Sequence, residues 1–138
     1  MTPEELRGIL RAATTIAVVG LSPKPERPSH RVARYLQQAG YRVVPVNPGH
    51  QRILGEPSYP TLAAAAAEHP IDIVDVFRRR EFAGRIVDEA LALAPPPRLI
   101  WLQVGVVDAA AEARAAAASV PFVMDRCLMV DHQLLRVA

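Results

Sequence analysis

The sequence predicts an α/β fold with a doubly wound, five-stranded parallel sheet and helices on both faces. Short apolar, β-branched segments alternate with segments of helical periodicity, which indicates strands joined by helical crossovers. The apolar segments lack a polar face, as expected of parallel strands covered on both sides. With 138 residues, 51% of them hydrophobic, the chain is long enough to bury a core, and residues 1–138 are expected to form a single domain.

The first two helices and the strand between them have recognisable boundaries. Thr2 and Pro3 are expected to open a leading helix, because threonine caps helices well and proline fits the first helical position. Thr15–Val19 is the first strand. Ser29 is expected to cap the next helix, and Gly40 follows where a left-handed residue would end it.

The second strand and the segment after it are less regular. Tyr41–Val46 is expected to be a strand although it contains Pro45, which cannot donate to a ladder but is tolerable near a strand end. The segment up to Pro60 is rich in helix and strand breakers and is expected to be irregular. Thr61 then caps a short alanine-rich helix, Leu62–Glu68.

The second half of the chain repeats the alternation of strand and helix. Asp108 is expected to cap one helix, which runs to about Ser119, and Asp131–Arg136 to form a terminal helical turn. Right-handed crossovers between such strands give a Rossmann-like sheet. Three further strands are expected, Ile71–Phe77, Arg98–Val104 and Val120–Met124. The helix after the first of them has an apolar stripe made of Phe82, Ile86, Ala90 and Leu93.

The loop Gly20–Ser29 is the strongest functional signal. It joins a buried strand to a helix N-terminus through a glycine turn, an arrangement in which backbone N–H groups and the helix dipole favour an anion. Lys24 and Arg27 add two positive charges. The loop therefore predicts a ligand that carries phosphate.

Two sequence features argue against NAD as that ligand. The loop has one glycine where the dinucleotide fingerprint G-x-G-x-x-G needs three, and Asn47 stands where an acidic residue would bind the ribose. Asn47 and nearby Arg52 leave NADP as an alternative. The P-loop pattern G-x-x-x-x-G-K-[ST] is also missing.

A second basic cluster, Arg78–Arg80, follows the third strand. Three cations at a helix N-terminus interact unfavourably with the helix dipole. Either water solvates these arginines at the helix start, or an anionic ligand offsets their charge. In an open parallel sheet this cluster and the first loop would share the carboxyl edge. The sequence thus indicates a two-sided anion site.

No constellation of catalytic or metal-binding residues emerges. Cys127 is interpreted as a small buried residue, with a thiol that faces the ligand pocket as the alternative. Trp101 is expected in the core, and Asp72 and Asp75 on opposite faces of one strand. The histidines, at His30, His50, His69 and His132, share no metal-like spacing with the cysteine.

Composition limits the class of protein. A formal net charge of only +2 argues against a dedicated nucleic-acid binder, and a single cysteine allows no intramolecular disulfide. Met1–Ala13 carries charges and lacks the apolar core of a signal peptide, and no apolar run reaches the length of a membrane span. We therefore expect a soluble, cytoplasmic protein with no membrane or nucleic-acid partner.

Several motifs together resemble one family, the small stand-alone CoA-binding proteins. These are single Rossmann-like domains similar to the nucleotide-binding domain of the succinyl-CoA synthetase α subunit. The resemblance covers nearly the whole chain. It is carried by V-V-G-L-S-P-K-P-E-R-P-S-H-R-V-A-R-Y-L (Val18–Leu36), P-V-N-P (Pro45–Pro48), V-D-V-F-R-R (Val74–Arg79), W-L-Q-V-G (Trp101–Gly105) and M-D-R-C (Met124–Cys127).

The resemblance implies that coenzyme A binds at the carboxyl edge of the sheet. Its implied contacts are a turn and its amides at Gly20, Leu21 and Ser22. Phosphates would contact Lys24, Arg27 and Ser29. The adenosine would be bordered by Val46, Asn47 and Pro48, with the opposite wall formed by Phe77, Arg78 and Arg79.

This length leaves no place for the phosphohistidine domain of the synthetase, so the resemblance implies binding of CoA or an acyl-CoA and supplies no reaction. Since no catalytic constellation is visible either, we expect binding without catalysis. The alternatives are a small NADP-dependent reductase and a regulatory or scaffold protein with the same fold. A further alternative is a mixed disulfide between Cys127 and CoA.

Overall fold

The computed structural model describes residues 1–137 and contains a five-stranded, all-parallel sheet beside a two-stranded hairpin. The strands are β1 (Thr15–Val19), β2 (Arg42–Val46), β3 (Arg52–Ile53), β4 (Glu56–Pro57), β5 (Ile73–Val76), β6 (Leu99–Leu102) and β7 (Phe122–Val123). The helices are α1 (Pro3–Ala12), α2 (Pro28–Gln38), α3 (Leu62–Glu68), α4 (Arg80–Leu91), α5 (Ala109–Ala117) and α6 (Leu128–Leu134). None of these helices is long and apolar enough to cross a membrane.

The strand order is β2-β1-β5-β6-β7. The chain moves from β1 outward to β2, then crosses back to place β5 on the other side of β1. The direction in which successive strands are added to the sheet therefore reverses between β1 and β5. A crevice forms at the carboxyl ends of these two strands. The predicted Rossmann-like, doubly wound α/β fold is confirmed.

Two hydrophobic cores lie on the two faces of the sheet. On one face, α1, α2 and α6 contribute side chains such as Leu6, Leu36 and Leu128, which pack with Trp101. On the other, α3, α4 and α5 pack through Leu62 and smaller residues, mostly alanine. All five residues of β1 are buried, because this strand is covered by helices on both faces.

The start of α2 corrects one prediction. The helix begins at Pro28, with Arg27 in the N-cap position and no side-chain cap, so the expectation that Ser29 caps this helix was wrong. Proline fits the first helical position because its φ is already helical and it has no N–H to satisfy. Ser29 instead lies in the first turn, with its side chain directed into the preceding loop.

Pro45 is tolerated in β2 for a geometric reason. β2 is the edge strand, and the carbonyl oxygen of Pro45 accepts a hydrogen bond from Tyr59 N at 3.0 Å on the side away from β1. The proline nitrogen points to that same outer side, so its missing N–H costs no bond to β1. The segment between Pro48 and Pro60, expected to be irregular, contains the short antiparallel hairpin β3–β4.

The inner face of α4 agrees with the predicted stripe at Ala90 but is centred on Ala83 and Val87 nearer its start. Ala83, Val87 and Ala90 are fully buried, whereas the Phe82 side chain is 39% exposed. Phe82, the first residue of the predicted stripe, therefore lies outside the core. Its ring lies beneath the guanidinium of Arg78, 4.9 Å from ring centroid to carbon, which is a cation–π geometry. The terminal helix also differs from the prediction, since α6 begins at Leu128.

Asp75 is an unusual residue of the central sheet. It is completely buried in β5, between Val18 of β1 and Trp101 of β6, and neither carboxylate oxygen has a hydrogen-bond partner among residues 1–137. Burial raises the pKa of this carboxyl well above its usual range. Asp75 therefore favours its neutral form, and ionising it opposes folding.

Asp75→Asn should make stability less dependent on pH. Because the folded pKa of Asp75 is raised, its stabilising contribution is complete below the unfolded pKa and is lost as pH rises through the folded pKa. Urea unfolding at about pH 5 and about pH 8 should show a larger loss of unfolding free energy for the wild type than for the variant.

Asp72→Asn is the matched control. Burial alone would raise the pKa of Asp72, but hydrogen bonds from Thr14 and Thr15 and the charge of Arg98 lower it overall. Its contribution is lost as pH falls through the depressed folded pKa, below the range compared. Asp72→Asn should therefore reduce stability about equally at both pH values. Parallel pH profiles for the wild type and Asp75→Asn would contradict the prediction.

Candidate ligand site at the carboxyl edge of the sheet

Gly20, the first residue after β1, sets the geometry of the crevice. Its φ is +86°, and a Cβ at this position would lie 2.6 Å from the carbonyl oxygen of Phe77 and 3.0 Å from Cδ of Arg78. Both the left-handed backbone and the close approach require glycine. The loops that follow β1 and β5 are therefore packed directly against each other.

A polar cavity of about 440 Å³ opens beside this contact. Seven of the sequence-predicted site residues line it: Gly20, Ser22, Lys24, Arg27, Ser29, Asn47 and Phe77. Lys24 and Arg27 are exposed, and neither has a carboxylate within salt-bridge distance among residues 1–137. The cavity is thus a concave surface with two uncompensated positive charges at the start of α2.

Hydrogen bonds fix the loop between β1 and α2. The Ser22 amide donates to Oγ of Ser29 at 3.0 Å, and Nδ1 of His30 donates to the Ser22 carbonyl at 3.0 Å. The Lys24 amide donates to Oγ of Ser22 at 3.1 Å. The first turn of α2 therefore holds the loop in place while the cationic side chains project outward.

Asn47 connects this loop to the end of β2. Its Nδ2 donates to the Leu21 carbonyl at 2.9 Å, and its Oδ1 accepts from the Gly49 amide at 3.0 Å. An aspartate could not donate to the Leu21 carbonyl, and its charge would face that oxygen. The asparagine that departs from the NAD pattern is thus required here to hold two loops together.

A second, mainly apolar cavity of about 500 Å³ lies across Pro28 and Phe77, which line both cavities. Its other lining residues come from α2, from the loops after β5 and β6, and from the start of α6. They include the half-buried Cys127. The alternative interpretation, a thiol facing the pocket, therefore describes this cysteine better than full burial does.

Three polar contacts anchor α6, whose start forms one wall of this cavity. Nε1 of Trp101 donates to the Arg126 carbonyl at 2.7 Å, and the Arg126 guanidinium pairs with Asp131 at 2.7 Å. At the other end of the helix, the Tyr35 hydroxyl of α2 is hydrogen-bonded to Nδ1 of His132 at 2.6 Å. Burial lowers the pKa of His132, which favours the neutral ring in this contact.

The remaining predicted site residues occupy different positions. Val46 and Pro48 line a third cavity of about 150 Å³ on the opposite face of the sheet. Arg78 lines both the apolar cavity and this one. Leu21 is fully buried and contributes only its backbone, and Arg79 is the N-cap residue of α4 and lines none of the three cavities.

Several residues that line the two larger cavities are not among the ligand contacts predicted from the sequence. Pro23, Pro28 and His50 line the polar cavity, and Gln103 lines the apolar one. Gln103 could have been predicted as a site residue because it directly follows β6, at the carboxyl edge of the sheet. His50 had no such signal, because only the folding of the loop after β2 brings it to the cavity.

Comparisons with known proteins point to one family. The family model described as "CoA binding domain" matches residues 14–133. The uncharacterized protein YneT of Bacillus subtilis (strain 168) is 37% identical over 132 residues, covering 96% of this chain and 95% of YneT.

Solved structures of similar proteins share the whole fold. A structure from Thermus thermophilus, "cell-free ID.343", superposes with a TM-score of 0.90 at 44% identity, covering 98% of this chain and 99% of that one. A hypothetical protein from Pyrococcus horikoshii OT3 gives a TM-score of 0.88 at 34% identity, covering 99% of this chain and 93% of that one. The chain is therefore a member of the CoA binding domain family.

Proposed function

We propose that residues 1–138 form one cytoplasmic domain that binds coenzyme A, free or acylated, without a reaction of its own. The observation that carries this proposal is the pair of adjoining cavities, one cationic and one apolar, which share Pro28 and Phe77. Coenzyme A combines phosphate groups with a long, mostly neutral pantetheine arm. A ligand of that kind needs both environments next to each other.

The phosphates are assigned to the polar cavity. Lys24 and Arg27 lie there without carboxylate partners, beside the N-terminus of the eleven-residue helix α2. Charge-assisted hydrogen bonds to phosphate and the helix dipole both favour binding at this position. Ser22 and Ser29 act mainly by shaping the loop, because they bond to each other.

The adenosine is assigned to the surface around Val46, Asn47 and Pro48. Val46 and Pro48 line the third cavity, and Asn47 lines the polar one. Arg78 lies between them and the apolar cavity, and it supplies a cation within reach of a 3′-phosphate on that side. Arg79 is assigned to the rim of the site, since it lines none of the cavities.

A covalent variant of this function is supported by the position of Cys127. The thiolate of Cys127 would attack a sulfur of a CoA disulfide, form a Cys127–CoA disulfide and release the other half as a thiolate. The half-buried cysteine on the apolar wall is placed for this exchange if the pantetheine arm lies in that cavity.

CoA should stabilise the protein. At a free concentration about 100 times the dissociation constant, linkage predicts about 2.7 kcal/mol, which corresponds to a rise in melting temperature on the order of 10 °C. Thermal unfolding with CoA, NAD, NADP and ATP measures this, and CoA should give the largest shift. A larger shift with NADP would instead favour the reductase alternative.

Arg27→Ala should weaken CoA binding roughly tenfold or more, because a hydrogen bond between charged groups contributes about 1.5–3 kcal/mol. Arg42→Ala is a matched control, since Arg42 is an exposed arginine at the amino end of β2, at the opposite edge of the sheet. Titration calorimetry measures both variants. Equal affinities for the two would contradict the assignment of the phosphates.

Incubation with CoA disulfide should add the mass of one CoA to the wild-type protein. Cys127→Ser should show no adduct, and dithiothreitol should remove the adduct from the wild type. Intact-mass spectrometry measures each of these. An unmodified wild-type protein, under conditions where CoA itself binds, would contradict the covalent variant.

A further inference from the structure

The residues that line the apolar cavity indicate which chemical group it can bind. Its walls are built largely from Val32, Phe77, Val106 and Met129, and its rim includes Val104, whose side chain is 66% exposed. Exposing a valine of this kind costs hydrophobic free energy that a bound apolar group would recover. This surface is more apolar than the amide-rich pantetheine arm alone requires.

Gln103 is the polar group that is built into this cavity. It is only 5% exposed, and its Oε1 accepts a hydrogen bond from the Leu128 amide at 3.2 Å. That bond fixes which end of the amide is oxygen, because only the oxygen can accept from an N–H. Nε2 donates to no group among residues 1–137, although Gln103 lines the cavity.

Nε2 is not among the fully buried side-chain atoms that lack a partner, so it opens on the cavity and is available to donate to a ligand there. The thiol of free CoA is a weak acceptor, whereas the carbonyl oxygen of a thioester accepts a full hydrogen bond. Resting on the proposed CoA-binding function, we propose that the ligand is an acyl-CoA with a short apolar acyl group. The acyl chain packs among Val104, Val106 and Met129, and Nε2 of Gln103 donates to the thioester carbonyl.

An acyl group with a terminal carboxylate fits this cavity less well. The charged residues that line it are Arg31, which is exposed, and Arg78, which the proposed function assigns to the 3′-phosphate. A carboxylate among the valines would lose hydration without a buried partner. The site should therefore discriminate against dicarboxylic acyl-CoA.

The proposal is tested by titrating the protein with CoA, acetyl-CoA, butyryl-CoA and succinyl-CoA. Acetyl-CoA should bind more tightly than CoA, and each added methylene should tighten binding by about three- to fourfold, so that butyryl-CoA binds roughly tenfold more tightly than acetyl-CoA. Succinyl-CoA should bind more weakly than butyryl-CoA. Equal affinities across the series, or tightest binding of free CoA, would overturn the proposal.

Gln103→Glu tests the hydrogen bond itself. Glutamate keeps an oxygen for the Leu128 amide but replaces the Nε2 donor with an acceptor, so the preference for acetyl-CoA over CoA should fall about tenfold. If Gln103 bonded instead to a pantetheine amide, CoA and acetyl-CoA would weaken equally, which would overturn its role. Circular dichroism and thermal unfolding check that the variant is folded.

Met129→Trp is a second variant that does not depend on the buried amide. Filling the cavity should reduce the ratio of butyryl-CoA to CoA affinity about tenfold. Val130→Ala is the matched control, because Val130 is the next residue of α6 and is 42% exposed outside the cavity. An unchanged ratio in Met129→Trp would overturn the assignment of the acyl group.

The binding measurements distinguish a failure of the acyl-CoA inference from a failure of the proposed CoA-binding function. If neither CoA nor any acyl-CoA binds at millimolar concentration, the CoA-binding function fails. If CoA binds and Arg27→Ala weakens it while the acyl series is flat, only the acyl assignment fails.

Discussion

The site depends on the close approach of Gly20 to the backbone of Phe77. β1 and β5 are neighbours in the sheet, yet the chains that leave them run to opposite faces, into α2 and α4. The two loops are therefore in direct contact where they leave the sheet, before they diverge to opposite faces. A side chain at Gly20 would force them apart and distort the crevice from which both larger cavities open.

The polar groups of the first loop divide into two roles. One group determines the shape of the loop through hydrogen bonds to other loop residues or to the loop backbone. Its members are Ser22, Ser29, His30 and Asn47. The two cationic side chains of the loop, Lys24 and Arg27, form no ion pair among residues 1–137, so their charge remains uncompensated. A preshaped loop lowers the conformational entropy lost on binding, which would favour the proposed binding of phosphate.

The sequence alone determined the fold class and which loops meet at the carboxyl edge of the sheet. Apolar β-branched segments and helical periodicity are local properties, and a parallel sheet places the residue after every strand at one edge. For this reason the sequence could predict that Gly20, Lys24 and Arg27 lie together at that edge, where they line one cavity. The helix N-terminus at Ser29 was misplaced by two residues, because proline at position 28 is as good a start signal as serine is a cap.

Only the tertiary structure decided which residues share a cavity. The apolar cavity is built from α2, α6 and the loops after β5 and β6, elements that are far apart in the chain. Phe82 and Ala83 are neighbours in α4, and the sequence pattern did not decide which of them faces the core. In the structure Ala83 is buried and Phe82 is exposed. The free Nε2 of Gln103 followed from a long-range hydrogen bond to Leu128. These features depend on packing between distant segments, whereas sequence patterns report only on neighbours along the chain.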